Sequence, residues 1–476
     1  MSNSQNLNNL KITSPRLHFY HYVLRNGLNE PDEKLKERRD LFRKNLHELA
    51  SHLTSRSGKK AAEFVRLIPL EKDLLPSGSL LDLTQVPDEC KKPNSDRLYL
   101  ETGTRYSRLA ARCLNDTYLL RFTSYVPSKE GEQSLKLFAN LSEHISTLPV
   151  ELGQTAILAG IIPETDYQKT EIAEIAAECL TQYFCHTIQP EEVTESEFLG
   201  SPFCIYWQPV PVPTFPQFSL KSIHLAAVFL YKDAETEAKA NTFYNILQDM
   251  LLSYHKIHFF HSQSLALKKI LSQKYENIER LAENYAQEKW DKESLKTLPQ
   301  QSLEYYKGLS ALSDQEKTLA VNLHNYRECL KQIEQYSQQS MPDFFQNFQS
   351  EADYYLQQIK TSIGFLSPGL PLYEKLMLSV QTQVSIDDEK LQTQQSVQQQ
   401  KLGQLLTGCG AAIAIGQILS PAITTSVSHY YVDKNQPQSP SVPSLWLGGF
   451  LTIILSLSSG WLVSRLVYQW FTKQKF

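Results

Sequence analysis

The chain has 476 residues, enough for two or three domains, with 21% charged residues and a formal net charge of −4. That balance carries no basic signal, so no nucleic-acid partner is expected. Its seven cysteines, scattered without a CxxC pair, weigh against a structural zinc site and point to a reducing compartment.

The N-terminal stretch MSNSQNLNNLKITSPRL has no apolar core of the kind a secretory signal needs. Residues 1–14 are expected to be disordered and the bulk of the chain to stay in the cytoplasm. A heavily charged helix is predicted over Glu30–Leu53; its run EKLKERRDLFRKN, Glu33–Asn45, alternates sign at helical spacing and reads as a solvated face. From about residue 60 the chain alternates between strand and helix patterns. Strands are predicted from Glu63 (EFVRLIPL) and over Arg97–Thr102, Thr117–Val126, Gln154–Pro163, Pro202–Val210 and Ser222–Lys232, with helices near Glu132–Leu148 and Tyr167–Phe184. β-branched and aromatic strands broken by polar helices imply an α/β domain over 1–235 whose mixed sheet is covered by helices.

This half contains neither G-x-G-x-x-G nor GxxxxGK[ST], so nucleotide chemistry has no support. Cys185 and His186 are sequence neighbours whose side chains point apart on a strand, which is not a nucleophile with its base. No Ser/His/Asp or paired-carboxylate set assembles by spacing, and the chain is not expected to be an enzyme.

Residues 236–400 read as a helical stalk. The first helix runs from about Thr236 to Trp290, and the second lies between Pro299 and Pro342, with Leu309, Leu312, Leu319, Leu323, Tyr326, Leu330 and Ile333 forming a coiled-coil seam. A third covers Asp343–Ile363, SPGLP (Ser367–Pro371) is a break, and a last helix from Leu372 continues to Leu402 through a glutamine-rich stretch. In the first of these helices His255, His258 and His261 recur at steps of three, within an arc of about 120°. They are metal-ligating candidates, although the spacing lacks the i, i+4 pair with a glutamate and equally suits packed or solvated histidines.

Residues 401–476 are the least polar part. Leu402–Val427 and Leu445–Ser464 are each long enough to cross a hydrocarbon core of about 30 Å, and the polar, proline-rich stretch between them reads as a turn. The expected architecture is therefore an α/β N-terminal domain with a mixed sheet, a long helical stalk and a C-terminal two-helix transmembrane hairpin with a short basic tail. Flanking lysines and arginines place both termini in the cytoplasm, as a multi-pass integral membrane protein in contact with membrane lipid. Rows of small residues at spacings of four, among them Gly408, Ala412 and Gly416 in one span and Gly448, Ser456 and Gly460 in the other, suit close helix packing. Gln417, Ser420, Thr424 and Ser428 are the pore-lining candidates if the first span instead faces water.

This order of parts resembles the CorA-type magnesium channel family, and SIHLAAVFLYKDAE followed by NTFYNILQDMLLSYHKI looks like that family's last sheet strand and its entry into the stalk. The resemblance implies a homo-oligomer, a pentamer in that family, with Mg²⁺ as transported or regulatory ion. The family's Gly-Met-Asn motif is absent; SVSHYYVDKN stands at the outer end of the first span, so no family site residue is carried onto this chain. Two functions follow as expectations: a divergent divalent-cation channel or transporter, or a membrane-anchored scaffold or adaptor whose α/β domain binds a cytoplasmic partner.

Overall fold

A computed structural model describes residues 10–25, 32–57, 80–82, 98–102, 104–114, 116–142, 145, 148–162, 172–212, 220–287, 289 and 296–387. The chain divides between Ile386 and Asp387, and the fold below belongs to the first unit.

The first unit is built on one mixed sheet. Its strands are β1 (Lys11–Leu24), β2 (Leu80–Asp82), β3 (Leu98–Thr102), β4 (Arg105–Leu114), β5 (Thr117–Tyr125), β6 (Glu132–Ser134), β7 (Gly153–Ile161), β8 (Thr194–Phe198), β9 (Ser201–Pro211) and β10 (Lys221–Tyr231). They lie in the order β2-β4-β5-β1-β7-β10-β9-β8, with β3 also on β4 and β6 also on β1. β10 and β7 run parallel; the other described pairs are antiparallel. The helices are α1 (Asp32–Ser57), α2 (Leu137–Ser142), α3 (Ile172–Phe184), α4 (Ala234–Asn241), α5 (Tyr244–Ala286), α6 (Leu298–Ser337), α7 (Asp343–Leu366) and α8 (Gly369–Asp387).

Alternation along β1 sorts its side chains between two faces. Leu17, Phe19 and Val23 enter a core with Phe42 and Leu46 of α1 and Cys179, Leu180 and Tyr183 of α3. A buried ion pair, Arg38 Nε to Glu151 Oε1 at 2.6 Å, fixes α1 under the sheet. On the other face α5 crosses β7 and β10. There Thr155 bonds His255 across 2.7 Å, and the Tyr22 hydroxyl donates to the Gln248 carbonyl at 2.9 Å. Helices on both sides explain why β10, KSIHLAAVFLY, is apolar along most of its length rather than alternating.

After β10 the chain turns into helix at Asp233, whose carboxylate accepts from the Thr236 N–H at 2.7 Å and is held below the usual carboxylate range by that bond. The expected single helix from Thr236 is two, because Thr242 and Phe243 form a turn between α4 and α5. Pro299 opens α6, and Gln338, at φ 56°, closes it in the left-handed conformation. The expected seam residues Leu309, Leu312, Leu319, Leu323, Tyr326, Leu330 and Ile333 are all buried. The expected break at Ser367–Pro371 is narrower than its sequence suggests: α8 resumes at Gly369, and Tyr305 of α6 donates to the Leu366 carbonyl at that corner.

The transmembrane part of the expected fold is corrected. Among the described residues no helix is long and apolar enough to cross a membrane. The long helices α5, α6 and α7 instead carry charged and amide residues throughout their length, as helices packed against a sheet and each other do. The membrane, transmembrane and multi-pass assignments, and the cytoplasmic placement of both termini, are not retained. Leu402–Val427 and Leu445–Ser464 lie outside the described residues. So do the pore-lining candidates Gln417, Ser420, Thr424 and Ser428 and the packing candidates Gly408, Ala412, Gly416, Gly448, Ser456 and Gly460.

Candidate functional site

β1 does not start as a regular strand. Thr13 pairs with Ile161 and Arg16 with Ala159, so one extra residue is accommodated at Ser14–Pro15, and Ser14 sits at φ 55°. The bulge switches the alternation: Ile12 joins Leu17 in the core, and Arg16 is delivered to the opposite face with His18, Tyr20 and Tyr22. Register then assembles rows across three strands. Arg16 lies opposite Tyr125 and Tyr125 opposite Tyr106; His18 lies opposite Thr123 and Thr123 opposite Arg108; Tyr20 lies opposite Arg121 and Arg121 opposite Ala110.

α5 covers β7 and β10 on this face, and beside it the β4–β5–β1 surface opens a cleft of about 360 Å³. The sheet contributes Arg16, His18, Arg108, Ala110, Arg121, Thr123 and Tyr125; α4 contributes Asn241, and the first turn of α5 Tyr244 and Asn245. Among the described residues three guanidiniums line it and no carboxylate does.

Arg16 and Arg121 are positioned by side-chain contacts. Arg16 donates to Asn241 Oδ1 and to Glu237 Oε1, both at 2.7 Å, and lies 5.3 Å from the centre of the Tyr125 ring. Ser14 Oγ donates to the same Glu237 oxygen at 3.1 Å, which ties the bulge to α4. Arg121 donates to the amide oxygens of Asn245 at 2.7 Å and Gln248 at 3.4 Å, while its guanidinium stands 5.6 Å from the centre of the Tyr20 ring.

His18, 4% exposed, stacks on Tyr244 with centroids 4.1 Å apart, and its Nδ1 is 3.3 Å from Thr123 Oγ1. Burial holds its pKa well below the ordinary imidazole range, and Arg16, Arg121 and Arg108 push the same way, so the ring is neutral. Its Nε2 has no hydrogen-bond partner among the described residues, nor has Arg16 Nε. When the Thr123 hydroxyl donates to Nδ1, the ring proton sits on Nε2 and that nitrogen becomes a donor.

The histidines singled out by spacing do not converge. His255 bonds Thr155, His258 is enclosed by Tyr254, Phe348 and Tyr355, and His261 stacks on Tyr355 at 3.7 Å and bonds Gln358 at 3.0 Å. Among the described residues no group of three His, Cys, Asp or Glu side chains could hold a metal ion. Cys185 is not on a strand: it follows α3 at φ 58°, exposed.

The cleft residues escaped the sequence reading for two reasons. β1 begins in the segment expected to be disordered, and β4 has no counterpart among the predicted strands. The signal that could have found them is period-two polarity: Arg16, His18, Tyr20 and Tyr22 alternate with Leu17, Phe19 and Val23, and Arg121, Thr123 and Tyr125 do the same on β5.

No protein-family model matches the chain, and no curated protein matches it at a significant level. The resemblance to the CorA-type channels thus rests on the order of parts and on the stretch from SIHLAAVFLYKDAE into NTFYNILQDMLLSYHKI, and the transmembrane portion of that order is the portion corrected above.

Proposed function

We propose that this protein is a non-catalytic binding module that holds a small anionic ligand in the cleft between β4–β5–β1 and the start of α5. The observation that carries the reading is a concave site lined by Arg16, Arg108 and Arg121, floored by a buried neutral histidine and, among the described residues, lined by no carboxylate. Cations held against the low-dielectric wall of a cleft attract an anion more strongly than the same charges spread over a surface. The volume lies within the range of small-molecule sites. Binding rather than turnover is favoured because the described lining residues offer neither a thiol nor a carboxylate to act as nucleophile or base, and burial, with the nearby arginines, lowers the His18 pKa and makes the ring a weak base.

An adaptor role is compatible with this geometry. Two of the three arginines, Arg16 and Arg121, also tie the sheet to α4, through Glu237 and Asn241, and to α5, through Asn245 and Gln248.

The test is thermal unfolding of the full chain in citrate or phosphate against chloride at matched ionic strength. A ligand that binds only the folded state adds about 2.7 kcal/mol of stability at a hundredfold excess over Kd. Anion-specific stabilisation that disappears in Arg121→Gln supports the reading; stabilisation equal to that in chloride overturns it.

A further inference from the structure

Resting on the anion-binding reading, we infer that Glu237 is an internal competitor for the cleft: it occupies Arg16 until an entering anion displaces it, and the displacement unties α4 from the bulged start of β1. Arg16 is not a free cation. Both terminal nitrogens of its guanidinium are taken by α4, Nη2 donating to Glu237 Oε1 and Nη1 to Asn241 Oδ1, each at 2.7 Å. Glu237 and Asn241 stand four residues apart, so they share one face of the helix. Ser14 Oγ, on the bulge residue at φ 55°, donates to the same Glu237 oxygen at 3.1 Å. One carboxylate oxygen thus holds both the guanidinium and the bulge. The pair is largely buried, at 18% and 13% side-chain exposure.

The geometry sets Glu237 and a ligand against each other. A guanidinium grips a carboxylate or phosphate best in a bidentate fashion, with two parallel N–H groups meeting two oxygens. Arg16 has one edge left for that grip. Its Nε is buried and has no hydrogen-bond partner among the described residues, and the Tyr125 ring lies over the guanidinium with its centre 5.3 Å away. The remaining edge carries Nη1 and Nη2, the two nitrogens that α4 holds. An anion that takes this edge takes it from Glu237, because two carboxylate-like charges on one guanidinium repel.

Asn241 is not displaced by the same argument. Its amide is neutral and can turn an N–H toward the anion. Arg16 has one anionic partner before and after, so the displacement asks for no surplus of positive charge in the cleft. α4 itself stays seated through Thr236 and Ala240, both buried. What it loses is the tie to β1.

The experiment is isothermal titration of the full chain with citrate at pH 7.5 and low salt, beside the variants Glu237→Gln and Ser14→Ala. It is paired with deuterium exchange of the unmodified full chain, read over Ala234–Asn241 with and without citrate. Glu237→Gln should bind citrate about threefold to fivefold tighter, the scale of a partly exposed ion pair. Ser14→Ala, which removes a second hold on Glu237, should also bind it tighter. Citrate should speed deuterium exchange over Ala234–Asn241 severalfold in the unmodified chain, and that response should be absent from Glu237→Gln.

Citrate affinity that is weaker or unchanged in Glu237→Gln would make Glu237 a positioning residue for Arg16 or a bystander. That overturns the displacement and leaves anion binding standing. Deuterium exchange over Ala234–Asn241 that citrate leaves unchanged or slows would overturn it too; this measurement needs no variant, so it decides even if a substitution prevents folding. No citrate binding by the unmodified chain or by either variant, together with no stabilisation beyond chloride, would sink both readings.

Discussion

Burial keeps several histidines of this protein uncharged, and on the α1/α3 side of the sheet their protons are fixed by a chain of side-chain bonds. Asn45 Nδ2 lies 2.7 Å from His21 Nε2, His21 Nδ1 lies 3.3 Å from Gln154 Oε1, Gln154 Nε2 lies 2.7 Å from His224 Nδ1, and the Tyr183 hydroxyl lies 3.2 Å from His224 Nε2. An amide nitrogen only donates and an amide oxygen only accepts, so His21 carries its proton on Nδ1 and His224 on Nε2. Every contact is satisfied with both rings neutral, and an extra proton on either ring would face an amide N–H. Burial accordingly brings His21 down to about 4, and His224 to about 3 with help from His21 and His186; burial likewise takes His258 to about 3. These are bases whose folded pKa lies below the unfolded value of about 6.5. Between those values the unfolded chain binds more protons, so the stabilisation is complete above pH 6.5 and is lost as pH falls toward 4 and 3. Each histidine contributes at most about 1.4 kcal/mol per pH unit in that window. Urea denaturation should show a midpoint that is flat from pH 7 to 8 and falls steeply from pH 6 to 4.5, with a shallower fall in His258→Phe. A midpoint unchanged down to pH 4.5 would mean that the rings already titrate normally in the folded state.

At the scale of elements, α5 and α6 meet through a glycine. A Cβ built on Gly308 of α6 would stand 2.6 Å from Leu271 Cδ2 of α5, and Leu271 is 1% exposed, so the leucine has little room to retreat. Gly364, near the end of α7, has nothing within 4 Å of its Cβ position. The same substitution should therefore act with opposite signs. Gly364→Ala should stabilise by about 0.5–1 kcal/mol through helix propensity, whereas Gly308→Ala should destabilise by about 1–3 kcal/mol through overpacking. Denaturant midpoints at constant slope decide it; a stabilising Gly308→Ala would show that the two helices can separate at no cost. The helices are the part of this fold most legible in the sequence. The seam from Leu309 to Ile333 and the boundary at Pro342–Asp343 follow from period and punctuation, which are local. β7, β9 and β10 were legible as apolar runs. β1 and β8 were not: KITSPRLHFYHYVL opens with a bulge and a proline that mimic a loop, and TESEF is a polar edge. The cleft was illegible for a further reason. Arg16, Arg108 and Arg121 are brought together by strand register, which is not written in any local pattern.

For the first unit, the sheet and the helices on either side of residue 235 pack together. The face of β7, β10 and β9 that α5 crosses is apolar: Ile157, Phe203 and Phe229 pack there with Phe198 against Phe243, Tyr244 and Leu247, and Met341 closes the group. The Phe198 ring meets Phe243 at 5.5 Å, and the Phe203 ring meets Phe345 of α7 at 6.2 Å. Ile157, Phe198, Phe203 and Phe229 are each 3% exposed or less in the assembled unit. Uncovering four such side chains forfeits about 1.5–3 kcal/mol each, or about 6–12 kcal/mol together. That is comparable with the roughly 5–15 kcal/mol that holds a whole domain folded. Loss of the Tyr22–Gln248 and Thr155–His255 bonds would add to it. A fragment of residues 1–235 should therefore aggregate or elute in the void volume. Residues 1–386 should instead be monodisperse, with one cooperative thermal transition. The same fragments bear on the cleft, because Asn241, Tyr244 and Asn245 lie beyond residue 235 and the cleft is complete only when sheet and helices are joined. A 1–235 fragment that melts cooperatively, and whose stability anions raise as they raise that of the full chain, would place the binding determinants on the sheet alone. It would also show that the sheet folds without the helices packed on it.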